Sequence, residues 1–187
     1  FMQLILRRLI TNMNFETLLI PTLETILMTF ISTLLAYIIG VPLGVLLNTS
    51  SKIGIKPNKW INIPLGIFIN IMRSIPCLLL IIVLLPLTRA TFGKGTGAWY
   101  TMIIPLFFAS FAFVSRVVEQ SLNEVNIGVI EMARSMGASN LEIITKVLFK
   151  EAKPSLIVGV AVTSISIIGY SSFAYDFGAG GIISSAY

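Results

Sequence analysis

The chain contains no histidine and one cysteine, and only 11% of its 187 residues are charged. Without histidine there is no Ser-His-Asp or Cys-His nucleophile pair, no imidazole metal ligand and no imidazole proton shuttle, which removes most enzyme classes. A single cysteine excludes an internal disulfide, and Cys77, inside an apolar run, reads as a small core hydrophobe. A soluble domain carries about 25% charged residues, so the shortage of charge excludes a chain whose main solvent is water. Neither a repeat nor a low-complexity tract is present.

Hydrophobic residues are in excess, at 56% with a mean hydropathy of +0.93. Roughly 20 consecutive apolar residues cross ~30 Å of hydrocarbon as a helix. Uncharged runs of 27, 21 and 22 residues cover Thr25 to Ser51, Gly95 to Ser115 and Pro154 to Tyr175. A fourth span is expected between Trp60 and Thr88, where Arg73 alone interrupts the apolar run. Placed at the water boundary, Arg73 would snorkel and serve as a cytoplasmic boundary anchor.

The net charge of +5 is spread over the loops between spans, which argues against a nucleic-acid partner and for topology signals. Nine of the thirteen basic residues fall on one side when spans alternate: Lys52, Lys56, Lys59, Arg73, Arg116, Arg134, Lys146, Lys150 and Lys153. The positive-inside bias makes that side cytoplasmic and puts the N-terminus outside, with Arg7 and Arg8 running against the assignment. The stretch Phe1 to Ile10 does not read as a signal peptide.

Between Arg116 and Lys153 lie ten charges, five of each sign, in 38 residues. Val129, Met132, Ala133 and Met136 recur at helical spacing, predicting a short helix over 127–136 that Gly137 ends in a left-handed turn. Ser139 and Glu142 stand at capping-box spacing, so a second helix starts at Asn140, with Leu141, Ile144, Val147 and Leu148 on one side, and stops before Pro154. Such a helix–turn–helix is either an ordinary loop packed on the bundle or a docking knob for a soluble partner.

The run Glu131-Met132-Ala133-Arg134-Ser135-Met136-Gly137-Ala138-Ser139 resembles the EAA loop of bacterial ABC importer permeases. Asn70-Ile71-Met72-Arg73-Ser74-Ile75-Pro76, Arg116-Val117-Val118-Glu119, Gly169-Tyr170-Ser171-Ser172 and Gly178-Ala179-Gly180-Gly181 look like the methionine-importer subfamily, in order and at similar spacing. The resemblance runs from about Glu16 to Ile182. It departs at Met132, where alanine is usual, at Lys150, where proline is usual, and in lacking a fifth span after the glycine-rich segment. It implies an all-α polytopic helix bundle of the type I importer kind: one permease domain over residues 1–187, with a coupling loop over about 124–153.

In that reading, Glu131, Met132, Ala133, Arg134, Met136 and Gly137 couple the permease to a separate ATPase. Polar residues of the last span, Thr163, Ser166, Tyr170 and Ser171, are candidates for the translocation path; helix packing is the competing explanation. The implied partners are two ATPase copies, a second copy of this chain, an extracytoplasmic binding protein and the bilayer of the bacterial cell membrane. No catalytic or metal-ligating residue and no cofactor is assigned to this chain; ATP and Mg belong to the partner. Gly93-Lys94-Gly95-Thr96-Gly97 lacks the phosphate-loop spacing and reads as a flexible loop. Gly169-Tyr170-Ser171-Ser172 has neither a histidine nor a lysine base within the spans for serine-protease chemistry. An importer of another solute and a purely structural membrane subunit remain as alternatives.

Overall fold

The computed structural model describes residues 15–179. The segment Phe1 to Ile10, with Arg7 and Arg8, and Gly180-Gly181 lie outside the described residues. The architecture is helical throughout: α1 (Phe15–Ser50), α2 (Lys59–Ser74), α3 (Cys77–Phe92), α4 (Ile103–Asn123), α5 (Ile127–Ser135), a helical run α6 over 140–151, and α7 (Lys153–Ser171). Two 3₁₀ turns, Trp99–Met102 and Ser172–Phe177, lead into α4 and out of α7.

The three charge-free runs form helices long and apolar enough to cross a membrane: Leu19–Ser50, Trp99–Asn123 and Lys153–Ser171. Helix α1 starts well before the uncharged run, because glutamate is a good helix former and a charge ends the hydrocarbon stretch without ending the helix. Several of its hydroxyls turn back on its own carbonyls, Thr33 Oγ1 donating to Thr29 O at 2.7 Å and Thr49 Oγ1 to Val45 O at 2.8 Å. That satisfies polar groups where no water is at hand.

The expected fourth span is long and apolar enough to cross a membrane only as a bent pair. Its residues form two helices, Lys59–Ser74 and Cys77–Phe92, whose axes turn by 101° at the break. Proline supplies the local cause: Pro76 has no N–H, and its ring pushes Ile75 into extended backbone (φ −78°, ψ 121°). The α helix resumes at once, Leu80 N donating to Pro76 O at 3.1 Å.

Helix α4 is the centre of the bundle. Ten of its residues are buried, and α1, α2, α3 and α7 all pack against it. The approach of α1 depends on Gly40 and Gly44: a Cβ would lie 2.6 Å from Val114 Cγ1 at the first and 2.6 Å from Ser115 O at the second. This small-xxx-small pair lets two backbones come close where apolar burial alone gives little drive for association. One core cluster, with Leu47, Val118, Leu122, Ala133, Ile143 and Leu148, gathers at the end of α4 that carries α5 and α6. Another, with Met28, Ile81, Met102, Leu106 and Ile167, gathers at the opposite end.

Candidate coupling surface and polar groups of the spans

Helix α5 starts where Asn126 accepts a hydrogen bond from Gly128 N at 2.8 Å. It ends in a Schellman turn: Gly137 N donates to Arg134 O at 3.0 Å, and Ala138 N to Ala133 O at 3.1 Å. Gly137 has φ +83°, the left-handed region that glycine enters freely. The capping box closes as the spacing predicts. Ser139 Oγ accepts from Glu142 N, while Glu142 Oε2 accepts from Ser139 N at 3.1 Å. Lys146 Nζ adds a bond to Glu142 Oε1 at 2.9 Å, and these contacts, Lys146 first, hold the Glu142 carboxyl down to about 2.

Which face is which differs from the sequence pattern. Ala133 is buried and Val129 and Ile130 are half-buried, whereas Met132 and Met136 are 61% and 76% exposed. The expected stripe is therefore split, Ala133 packing inward and the two methionines pointing out. In α6, residues Ile143–Leu148 form a π-helical stretch. Its wider turn brings Ile143 and Leu148, five residues apart and both fully buried, onto one face, and Leu141 is left 74% exposed. The result is an outward apolar trio of Met132, Met136 and Leu141 around Gly137, with exposed Glu131 on the same short helix. Spacing puts Leu141 on one side with Ile144, Val147 and Leu148; the structure separates exposed Leu141 from buried Leu148, and the π turn between them has no plain sequence signature.

Arg134 reaches into the protein, Nη2 donating to Ile55 O at 3.2 Å in the loop between α1 and α2. Beside this tether, a cavity of about 500 Å³ is lined by Asn48, Asn62, Asn123, Ile55 and Ile130 among others. Asn48 Nδ2 donates to Asn123 Oδ1 at 2.7 Å, closing α1 on α4 at the same end.

Arg116 and Glu119 form an ion pair on α4 at 2.5 Å. Arg116 Nη2 also donates to Gly66 O at 3.0 Å and Asn70 Oδ1 at 2.8 Å, so the pair clamps α2 to α4. Arg73 stands in the last turn of α2 with its guanidinium carbon 5.9 Å from the centre of the Phe113 ring. Phe113 lies on α4 two residues before the charge-free run ends at Ser115 and three before Arg116.

The four polar residues singled out on α7 do not share one environment. Thr163 is fully buried, donates to Gly159 O at 2.8 Å and lies 3.4 Å from Tyr37 Oη, which makes it a contact between α7 and α1. Ser166 Oγ and Ser171 Oγ donate to Val162 O and Ile168 O on their own helix. Tyr170 is half-buried and packs with Cys77 and Phe173 against the cluster of Met102 and Ile167. Among the described residues no group of three or more Cys, Asp or Glu side chains is placed to hold a metal ion.

A membrane helix bundle with an outward-facing helix–turn–helix is the form of a transporter's membrane subunit. Residues 40–186 match the model of the family described as binding-protein-dependent transport system inner membrane component, and the chain belongs to that family. The probable D-methionine transport system permease protein MetI of Vibrio cholerae is 38% identical over 170 residues, covering 91% of this chain and 75% of that protein. The corresponding Pasteurella multocida protein is 40% identical over 87% of this chain and 75% of its own length. A structure of the MetNI methionine ABC transporter in an inward-facing conformation superposes with a TM-score of 0.86 at 36% identity, covering 89% of this chain and 77% of that one. An amino acid ABC transporter solved with histidines, at 18% identity and TM-score 0.73 over 90% of this chain and 75% of its own, shares the fold. The bundle is thus the permease fold of type I importers.

Proposed function

We propose that this chain is the membrane-spanning subunit of an ATP-driven importer, that methionine is its substrate, and that the turn at Gly137 couples it to a separate ATPase. The observation that carries the coupling role is the exposed trio of Met132, Met136 and Leu141 held around a Schellman turn. A soluble protein rarely leaves such side chains bare without a partner to cover them. Glu131 adds a charge for the partner to read, Ala133 keys the helix to the bundle core, and Arg134 ties it to the loop between α1 and α2.

In this reading two copies of the chain enclose the path and two ATPases dock at the turn, where ATP and Mg are held by the ATPase. A binding protein delivers substrate on the opposite face. The end carrying Lys52, Lys56 and Lys59 is cytoplasmic and the N-terminus is outside, in keeping with the distribution of basic residues. Closure of the ATPase pair moves α5 and α6, and because Ala133, Ile143 and Leu148 share a packed core with Leu47 and Val118, the spanning helices move with them. The similarity to D-methionine permeases and to the MetNI methionine transporter supports the substrate.

The test is uptake of radiolabelled methionine into proteoliposomes holding the permease, its ATPase and its binding protein, with ATP supplied or withheld, against a panel of unlabelled competitors. ATP-dependent uptake blocked chiefly by methionine is the expected result. Uptake of another solute would keep the coupling and overturn the substrate; uptake without ATP dependence would overturn the coupling.

A further inference from the structure

The loop between α1 and α2 joins two charge-free runs, of which Ser51 closes the first and Trp60 opens the second. Residues 52–59 between them include Lys52, Lys56 and Lys59, and no Asp or Glu stands anywhere between Glu24 and Glu119. None of these lysines enters the two ion pairs found among the described residues. The loop is nevertheless held in one shape. Lys56 N donates to Thr49 O and Asn58 N to Ser50 O, both at 3.0 Å, which folds the segment back on the end of α1. From the first turn of α2, Asn62 Nδ2 donates to Leu47 O at 2.8 Å and to Ser50 Oγ at 3.2 Å. Between the loop and α2 lies a cavity of about 450 Å³, lined by Lys52 and Lys59 together with Ser50, Asn58, Asn62 and Ile63. Two ammonium groups, a hydroxyl and two amides, with no carboxylate on the wall, make a site for an anion, and a phosphate suits ammonium point charges.

What adjoins the cavity says which anion. Ile63, on its wall, is followed at helical spacing by Ile67 and Ile71, each more than half exposed, and is preceded by Trp60, 90% exposed. Helix α2 packs by its other side, where Ile69 is its single buried residue. A soluble phosphate ester has no use for an apolar stripe that starts at its site, whereas a phospholipid carries head group and acyl chain end to end. Tryptophan beside lysine is also the composition of a membrane–water boundary. We infer that the cavity holds the phosphate head group of an anionic phospholipid, with an acyl chain lying along Trp60, Ile63, Ile67 and Ile71. The basic loop sets which side of the membrane it occupies; the cavity adds a choice among the lipids found there, the unpaired ammonium charges favouring a head group with net negative charge.

The test needs neither ATP nor a transported solute, so its failure leaves the proposed function standing. The chain has two tryptophans, and Trp99→Phe leaves Trp60 as the sole reporter. In nanodiscs of phosphatidylcholine, a brominated phospholipid with its bromines near the head of the acyl chain quenches Trp60 on contact. Brominated phosphatidylglycerol is expected to be preferred over brominated phosphatidylcholine about 5- to 25-fold, the effect of one to two lysines engaged. Lys52→Gln and Lys59→Gln each lower that preference about fivefold. Lys56→Gln, in the same loop but off the cavity wall, leaves it unchanged. Equal losses in all three variants would show diffuse attraction to the loop and overturn the inference. So would three other results: no preference for the anionic lipid, which leaves the lysines for an acidic protein surface; no quenching of Trp60 by either lipid, which shows a second copy of the chain covering the stripe; and loss of the preference on adding glycerol 3-phosphate, which assigns the cavity to a soluble phosphate ester.

Discussion

At Gly137 the backbone sits at φ +83°, with open space where a Cβ would be. The obstacle to substitution is conformational, about 1–2 kcal/mol for an ordinary residue in the left-handed region and more for a β-branched one. Gly137→Val is therefore expected to open the turn between α5 and α6 and abolish co-purification of the ATPase, while the spanning bundle still elutes as a folded species in detergent. Gly44 presents the opposite case, a right-handed helical glycine with no room. A Cβ there meets Ser115 O at 2.6 Å and Val118 Cβ at 2.7 Å, and neither is the free end of a flexible side chain. Gly44→Leu should push α1 off α4 and lower stability by about 3 kcal/mol, at the upper end of overpacking costs. A thermal aggregation midpoint in detergent that does not fall would show that α1 can shift without loss.

The elements around the turn respond differently to pH and to the loss of a tether. Glu142 is held at about 2, below its ordinary 4.5, by Lys146 and by Ser139. A carboxylate lowered on folding favours the folded turn at pH above its ordinary value, and that contribution is lost as acid takes the pH from 4.5 down through about 2. Protection of the amides over 139–142, corrected for intrinsic exchange, should hold at neutral pH and fall across that window; Glu142→Gln should show no such step. Arg134→Gln removes the bond to Ile55 O and should speed exchange in the loop 51–58 while the ATPase still co-purifies. If co-purification is lost instead, Arg134 contacts the ATPase and the inward tether is secondary. The turn and cap of this unit were legible because each depends on residues in a fixed geometry: Gly137, and Ser139 with Glu142. The facing of Met132 and Leu141 was not, because it depends on how α5 lies against Ile55 and on a π turn, both set by packing.

At the scale of the whole molecule, counting charge-free residues located the three spanning helices, since hydrocarbon thickness fixes the length of run required. The same count took α2 and α3 as one span, and together they pass as one; the 101° turn within it was not legible, because apolar composition carries no information about direction. Pro76 was the visible sign of a break, but a proline alone more often kinks a helix than turns it by 101°. Packing also holds the angle: Ile81 is 0% exposed and packs at the end of α4 with Met28, Met102 and Ile167, and Leu80 next to it is 4% exposed. In a bilayer such contacts act through close packing rather than exclusion of water, and they fix the direction that α3 takes from the break whatever residue stands at 76. Pro76→Ala should accordingly leave the bend in place. Spin labels at Lys59 and Phe92, in a Cys77→Ala background, measure this directly. Two 16-residue helices meeting at 101° put their far ends about 30 Å apart, and one continuous helix about 50 Å apart. A distance that stays near the shorter value assigns the bend to packing against α4, and a move to the longer one assigns it to the proline.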